Sequence, residues 1–268
     1  MIVQMRGSQS DQFVHSIQLK RNEVKSYALY PFNLPIVKSL NRLQIDPHLT
    51  FIVGDNGSGK STLLEAIAAS LGFNPEGGSK NFSFGTRESH SDLHKYLRVC
   101  KGIKKPKDGY FLRAESFFNV ATEIEKRDEE PGGGPKIIES YGGTSLHEQS
   151  HGESFLSLVC NRFRGNGLYL LDEPEAALSP QRQLSVLSRM HQLIQRDSQF
   201  IIATHSPILM AYPDALIYGC TPEGLKKVQY EDTEHFRVTR DFLANPNRML
   251  RELFKDDDDL SDDTLFDK

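Results

Sequence analysis

The sequence lacks the features of a disulfide-stapled, secreted or membrane-spanning protein. It has only three cysteines, Cys100, Cys160 and Cys220, and their spacing fits no disulfide framework or metal site, so we expect reduced, buried thiols in a cytoplasmic protein. No apolar run approaches the roughly 20 residues of a membrane-spanning helix, and the mean hydropathy is −0.47. The first residues have no apolar stretch of the kind found in signal peptides. We therefore expect a cytoplasmic chain that does not itself insert into a membrane.

The sequence also lacks the strong positive charge of a protein coated with nucleic acid. The 268 residues carry a net charge of −4. The six aspartates between residues 256 and 263 contribute six negative charges, which is more than the whole net charge. Net charge therefore says little about the rest of the chain, and a contact with DNA stays open. The basic segment 101–107 is interpreted as a solvated loop, with contact to DNA phosphates as the alternative. We expect one domain over residues 1–255, followed by a disordered acidic tail over 256–268.

Three short apolar runs predict the centre of the fold. Residues 49–53, 168–171 and 200–203 are continuously apolar or nearly so, which is typical of parallel strands buried on both faces. Helices are predicted between them over 61–71, 153–162 and 181–196, and the last has Leu184, Leu187, Met190 and Ile194 at helical spacing. Further strands are expected over 13–19, 215–220 and 226–230. Each central strand ends in polar residues, as at the ligand-binding edge of an open α/β sheet.

The strongest motif follows the first of these strands and fits G-x-x-x-x-G-K-[ST]. It comprises Gly54, Asp55, Asn56, Gly57, Ser58, Gly59, Lys60, Ser61 and Thr62. A buried strand before it and a helix after it are the context of a P-loop, in which backbone amides hold phosphates. Lys60 is expected to reach the β- and γ-phosphates of a nucleotide, and the Ser61 hydroxyl to bind Mg²⁺.

Two further strands end in residues suited to nucleotide hydrolysis. Asp172 and Glu173 follow the run at 168–171, as in a Walker B element, where Asp172 would hold Mg²⁺ and Glu173 would polarise the attacking water. His205 follows the run at 200–203 and is placed to sense a γ-phosphate. We therefore expect Glu173, His205 and Lys60 to be the catalytic residues.

The order of these motifs resembles that of the ABC-type ATPases. The resemblance covers most of residues 13–250, and it implies an α/β P-loop NTPase fold with an ABC-type ATPase core: a mostly parallel sheet, N-terminal antiparallel strands and a helical signature lobe over about 80–165. Ser150, His151, Gly152 and Glu153 stand at the family's signature, with His151 and Glu153 departing from its LSGGQ pattern. Glu115 stands where the family has a Mg²⁺-contacting glutamine, which makes it a further candidate metal ligand. Either Tyr30 or Phe32 would stack on adenine.

The resemblance also implies cofactors, partners and a mechanism. ATP and Mg²⁺ would be bound between two copies of the chain, so that Ser150, Gly152 and Glu153 of one copy complete the site of the other. The amino-acid sequences of the motifs are similar to those of the soluble SMC- and RecF-like branch of this family. This predicts an ATP-hydrolysing dimerisation switch in DNA maintenance or phage defence, acting with an effector protein and with DNA as an open partner. The alternative is the nucleotide-binding subunit of an ABC transporter that has a separate membrane partner.

One competing motif overlaps the signature. The residues from His147 to His151 fit H-E-x-x-H, the zinc-protease pattern, in which Glu148 would be the base. The pattern requires a helix with an apolar buried face, whereas Gln149 and Ser150 are polar and Gly152 ends the run. We therefore favour the signature interpretation.

Overall fold

The protein is described by a computed structural model that covers residues 12–80, 91–115, 117–129 and 136–254. The expected tail over 256–268 lies outside the described residues. In chain order the strands are β1 (Val14–Leu19), β2 (Arg42–Gln44), β3 (Leu49–Val53), β4 (Leu97–Lys101), β5 (Asp108–Arg113), β6 (Gly167–Asp172), β7 (Gln199–Thr204), β8 (Leu216–Thr221) and β9 (Gly224–Val228). The α-helices are α1 (Pro35–Lys38), α2 (Lys60–Ser70), α3 (Phe117–Glu129), α4 (His151–Ser157), α5 (Pro180–Ile194), α6 (Pro207–Met210), α7 (Glu234–Ala244) and α8 (Pro246–Leu253).

A six-stranded sheet places the motif-bearing strands side by side. Its order is β5-β6-β7-β3-β8-β9, and all neighbours are parallel except the antiparallel β8–β9 pair. The carboxyl ends of β6, β7 and β3 are therefore adjacent, and the polar residues that follow them meet at one edge. The N-terminal β1 lies between β2 and β4 in a separate antiparallel sheet. The expected mostly parallel α/β sheet with N-terminal antiparallel strands is confirmed.

The central strands are apolar along their length because both of their faces are covered. All five residues of β3 and all six of β6 and of β7 are buried. In β3, Phe51 and Val53 face one hydrophobic cluster with helix α5, while Ile52 faces a second cluster with α2. Burial on both faces removes the polar–apolar alternation of a half-exposed strand, which is why the sequence shows continuous apolar runs.

The structure corrects several details of the sequence interpretation. On α5 the predicted Met190 and Ile194 are buried, but Leu184 is 51% exposed, and Val186 and Leu193 lie on the buried face as well. The helix predicted to start at residue 153 begins at His151 and passes into a π-helical turn over Leu158–Arg162. The prediction of three buried thiols is wrong. One cysteine is exposed on the π-helical turn and two are half-buried, and all three are free; they are Cys160, Cys100 and Cys220.

The C-terminal part of the described chain contains two helices that were not predicted from the sequence. Neither α7 nor α8 has a buried residue. Val238, Leu243, Leu253 and Phe254 are exposed along this segment. Among the helices that the structure describes, none has the length and apolar character that crossing a membrane would need.

Candidate nucleotide-binding site

The loop between β3 and α2 is shaped by its glycines. Gly54 has a φ of +153°, and a Cβ added there would lie 2.6 Å from the Cβ of Cys220 on the neighbouring β8. Gly59 has a φ of +95° and is the N-cap of α2. Lys60 is buried, and its Nζ donates to the carbonyl oxygen of Asp55 at 2.9 Å. The loop thus closes around its own lysine, with the N-terminus of α2 facing the enclosed space.

Asp172 lies at the carboxyl end of β6 as a buried acid. Its Oδ1 finds no hydrogen-bond donor among the described residues. Burial raises the pKa of Asp172 to about 6, against the lowering effects of a hydrogen bond from Ser61 and of the Arg113 guanidinium. A buried carboxylate oxygen without a donor, next to a serine hydroxyl, suits the oxygen ligands that Mg²⁺ prefers. The side chains of Ser61 and Asp172 therefore fit a magnesium ion.

The residues after Asp172 contact the loop that follows β7. Glu173 adopts a left-handed backbone conformation with a φ of +49°, a conformation that costs a non-glycine residue about 1 kcal/mol or more and concentrates at functional sites. Its Oε1 lies 3.2 Å from Nε2 of His205. Glu175 accepts a hydrogen bond from the backbone N–H of His205 at 2.5 Å. The two glutamates therefore hold the side chain and the backbone of His205.

A second histidine, which the motif analysis did not identify, lies against His205. His235 on α7 has its Nε2 3.1 Å from Nδ1 of His205, and the two rings meet edge to face with centroids 5.2 Å apart. Burial, followed by the neighbouring His205, lowers the pKa of His235. No motif contains His235, so only the packing of α7 against α6 reveals it.

The residues at the signature position are held by α5 of the same chain. Ser150 is the N-cap of α4, and its backbone N–H and its hydroxyl donate to Glu153 Oε2 at 3.0 and 2.7 Å. Arg182 on α5 donates to Ser150 Oγ at 3.3 Å and to Glu153 Oε1 at 3.1 Å. A Cβ on Gly152 would lie 2.7 Å from the carbonyl oxygen of Ala177. A glycine at this position lets α4 approach the turn after Glu173 closely.

An arginine at the end of β5 links three carboxylates near the site. Arg113 Nη1 lies 2.8 Å from Glu65 Oε2 on α2, its Nε lies 3.8 Å from Asp172 Oδ2, and its Nη2 lies 3.5 Å from Glu115 Oε2. Glu115 itself is 88% exposed, so its carboxylate faces solvent beside this cluster. Glu115 was predicted near the site from the motif order, whereas nothing in the sequence pointed to Arg113.

The two aromatic candidates for an adenine platform occupy different environments. Phe32 packs edge to face against Tyr96 with ring centroids 4.8 Å apart and contacts the core cluster around α2. Tyr30 is 62% exposed, and its hydroxyl lies 3.1 Å from Oγ1 of Thr62 at the start of α2. A ring that stacks on a base needs a free face, and Tyr30 is the candidate that has one beside the P-loop.

The zinc-protease pattern lacks its structural context. His147 lies in a turn, and the helix begins only at His151, so the two histidines are not on consecutive turns of one helix. In the part of the chain that the structure describes, no group of three or more His, Cys, Asp or Glu side chains is arranged to hold a metal ion.

These features define an α/β P-loop NTPase. The chain matches the family described as an AAA domain over residues 18–154, and a second AAA domain family, described as putative AbiEii toxin, Type IV TA system, over residues 139–211. The first match spans more than half of the chain. The chain therefore belongs to the AAA domain family.

Curated relatives come from two kinds of protein. The chain is 28% identical over 166 residues to the chromosome partition protein Smc of Methanocaldococcus jannaschii, a match that covers 53% of this chain and only 14% of that protein. It is 29% identical over 195 residues to a putative ABC transporter ATP-binding protein of Caldanaerobacter subterraneus, covering 65% and 77%. Among solved structures, an ATP-binding cassette of an ABC transporter matches with a TM-score of 0.51 and 16% identity, covering 87% of this chain and 97% of that one. This structural likeness supports the fold.

Proposed function

We propose that the chain hydrolyses ATP to ADP and phosphate and uses this reaction to switch between separate and paired copies. The observation that carries the proposal is the meeting of three motifs at one edge of the sheet. Lys60 follows β3, Glu173 follows β6 and His205 follows β7, and the last two are in contact at 3.2 Å. A phosphate-binding loop beside an acid that can orient water and a histidine that can donate to a phosphate suits phosphoryl transfer to water.

Different residues of the chain would bind the phosphates, the adenine and the magnesium ion. The backbone amides from Gly54 to Thr62 and the Lys60 ammonium would hold the phosphates, and the exposed Tyr30 ring would stack on adenine. Ser61 and Asp172 would hold the magnesium ion. The solvent-exposed carboxylate of Glu115 would be a further ligand of the same ion. When bound, Mg²⁺ supplies positive charge against the phosphate oxygens.

Glu173 and His205 are proposed to act on the reacting atoms. Glu173 would orient the attacking water, because its carboxylate lies at the end of β6, 3.2 Å from His205 Nε2. His205 would donate a hydrogen bond from Nε2 to the γ-phosphate. Charge that develops on the phosphate would be stabilised by Lys60 and His205, which are positioned before the reaction begins.

Glu173→Gln tests the hydrolytic role. Glutamine keeps the shape but cannot accept a proton from water, so we expect turnover to fall by at least 10²-fold while ATP binding persists. Turnover is measured as phosphate release and binding as fluorescence of a labelled ATP analogue. The exposed Glu139→Gln is the matched control and should turn over normally. Normal hydrolysis by Glu173→Gln would remove Glu173 from its role.

Lys60→Ala tests the phosphate-binding role independently of hydrolysis. The variant lacks the ammonium that the P-loop encloses, so ATP binding should weaken by at least tenfold, about 1.4 kcal/mol. Binding equal to that of the unchanged protein would contradict the P-loop assignment.

The dimer is tested at the signature. Ser150, Gly152 and Glu153 are proposed to bind the nucleotide held by a second copy, so Ser150→Arg should block turnover and ATP-dependent dimerisation while leaving ATP binding by single copies intact. Light scattering coupled to size exclusion, with Glu173→Gln as background, separates the two states. Turnover by Ser150→Arg at low protein concentration would show that the signature does not act in a second copy.

DNA maintenance or defence, with an effector protein, is the proposed process, and the likeness to Smc favours it. The likeness to a putative ABC transporter ATP-binding protein favours the alternative, a transporter subunit. Hydrolysis measured with and without duplex DNA, over a range of salt concentrations, distinguishes them. Salt-sensitive stimulation supports the DNA role, and unchanged hydrolysis argues against it.

A further inference from the structure

We propose that His235 is a positioning residue for hydrolysis: it donates a hydrogen bond from Nε2–H to Nδ1 of His205 and so keeps the His205 proton on Nε2, the atom that faces Glu173 in the structure and that would donate to the γ-phosphate when ATP binds. The inference rests on the proposed function, in which His205 donates to that phosphate. It goes further by assigning a role to a residue of α7 that belongs to no motif.

The three side chains of Glu173, His205 and His235 form a continuous row of contacts. His205 lies between two partners, with Nδ1 3.1 Å from His235 Nε2 and Nε2 3.2 Å from Glu173 Oε1. Both ring nitrogens are therefore engaged, and the bond at one nitrogen decides which nitrogen carries the proton.

A neutral imidazole has one N–H donor and one acceptor nitrogen. If His205 carried its proton on Nδ1, its unprotonated Nε2 would face the carboxylate of Glu173. Both atoms are hydrogen-bond acceptors, so no hydrogen bond could form between them. If His235 supplies the proton instead, His205 donates from Nε2 to Glu173, and both bonds are satisfied. Burial and the neighbouring His205 lower the pKa of His235, which keeps its ring neutral near pH 7.

The Tyr230 hydroxyl donates to the carbonyl oxygen of Pro207 at 2.9 Å, and the Tyr230 ring packs on Phe236 with centroids 4.5 Å apart. Thr233, the N-cap of α7, is buried, and its hydroxyl donates to the Tyr230 carbonyl at 2.7 Å. The segment that leads into α7 is thus attached to the start of α6, two residues after His205, which supports the placement of His235 beside His205.

The test compares two replacements of the donor. His235→Phe fills the space without a donor, and we expect kcat to fall about tenfold with KM for ATP unchanged, as when an orienting partner of a histidine is removed. His235→Gln places an amide N–H near the position of Nε2 and should restore most of the lost turnover. His191→Phe, a replacement on exposed α5 surface, is the control.

A second readout does not depend on hydrolysis. Nitrogen-15 NMR of histidine-labelled protein without nucleotide reports the tautomer of each of the nine histidines, and the His205 signals are assigned with His205→Asn. We expect the Nε2–H tautomer in the unchanged protein and in His235→Gln, and a mixture of tautomers in His235→Phe.

Several results would overturn the proposal. They are an Nδ1–H or doubly protonated His205 in the unchanged protein, normal kcat in His235→Phe, and equal impairment in His235→Phe and His235→Gln. Absence of hydrolysis in the unchanged protein would instead count against the proposed function, and the tautomer measurement would still decide the role of His235.

Discussion

Asp172→Asn should stabilise the protein in the absence of nucleotide and Mg²⁺ while abolishing hydrolysis. Asp172 is 6% exposed, and one of its oxygens has no hydrogen-bond donor among the described residues. Ionising such a group requires the folded chain to bury a charge that water would otherwise solvate. The acid is therefore retained at a cost to stability, which the proposed binding of Mg²⁺ would offset.

The size of the effect follows from the pKa. Burial raises the pKa of Asp172 from 3.8 to about 6, and each pKa unit corresponds to about 1.4 kcal/mol. The folded-state pKa is the higher one, so the folded chain binds the proton more tightly than the unfolded chain does. The carboxyl thus destabilises the fold by up to about 3 kcal/mol above pH 6, and the penalty disappears as the pH falls towards 4.

Asparagine removes the charge but introduces an amide that also needs partners, so we expect about half of this gain. A gain of about 1.5 kcal/mol corresponds to a rise in Tm of about 3–6 °C for a chain of this size. The assay is thermal and urea unfolding in EDTA at pH 8.0 and at pH 5.0. The gain should be largest at pH 8.0 and smaller at pH 5.0.

The matched control is Asp214→Asn, at an exposed position with a φ of +58°, where asparagine is also tolerated. This control should change Tm little at either pH. A gain for Asp172→Asn that is absent, or that is the same at both pH values, would refute the reasoning from burial.

The remaining predictions concern the edges of the site. Tyr30→Ala should raise KM for ATP about tenfold with little change in kcat, whereas Phe32→Ala should mainly lower Tm; the opposite pattern in steady-state kinetics and thermal unfolding would move the base platform to Phe32. Gly54→Ala should weaken ATP binding in a fluorescence titration, because the new methyl would lie 2.6 Å from Cys220 Cβ; unaltered affinity would show that β8 can move aside. Arg113→Met should lower the urea-unfolding free energy by about 2 kcal/mol, and adding Glu65→Met should restore part of it; purely additive losses would mean that the 2.8 Å pair is not coupled.

The sequence predicted those parts of the fold in which one local rule dominates. The strands β3, β6 and β7 are visible because burial on both faces demands continuous apolar residues, and the P-loop is visible because phosphate binding fixes both its glycines and its lysine. The adjacency of Asp172, Glu173 and His205 was inferred from motif order, and the parallel pairing of β6 with β7 accounts for it.

The rest could not be predicted because it depends on contacts between distant segments. His235 reaches the site only through the packing of α7. Arg113 comes close to Asp172 only because β5 pairs with β6. Leu184 has the spacing of a buried residue, but the direction in which α5 faces the sheet leaves it exposed. Periodicity does not by itself establish burial: apolar residues recur at helical spacing along α7 and α8, yet neither helix has a buried residue.

The order of strands in the central sheet also governs how the site comes into existence. Val53, just before the P-loop, pairs with Thr204 about 150 residues further along the chain, and bringing such distant segments together has a substantial entropic cost. During synthesis the P-loop leaves the ribosome well before β7 exists, with its apolar strand uncovered. We therefore expect the nucleotide site to be among the last regions to form. Because its apolar strand stays exposed until then, we expect the incomplete nascent chain to need chaperones. Nucleotide binding would consequently report that the whole sheet has assembled.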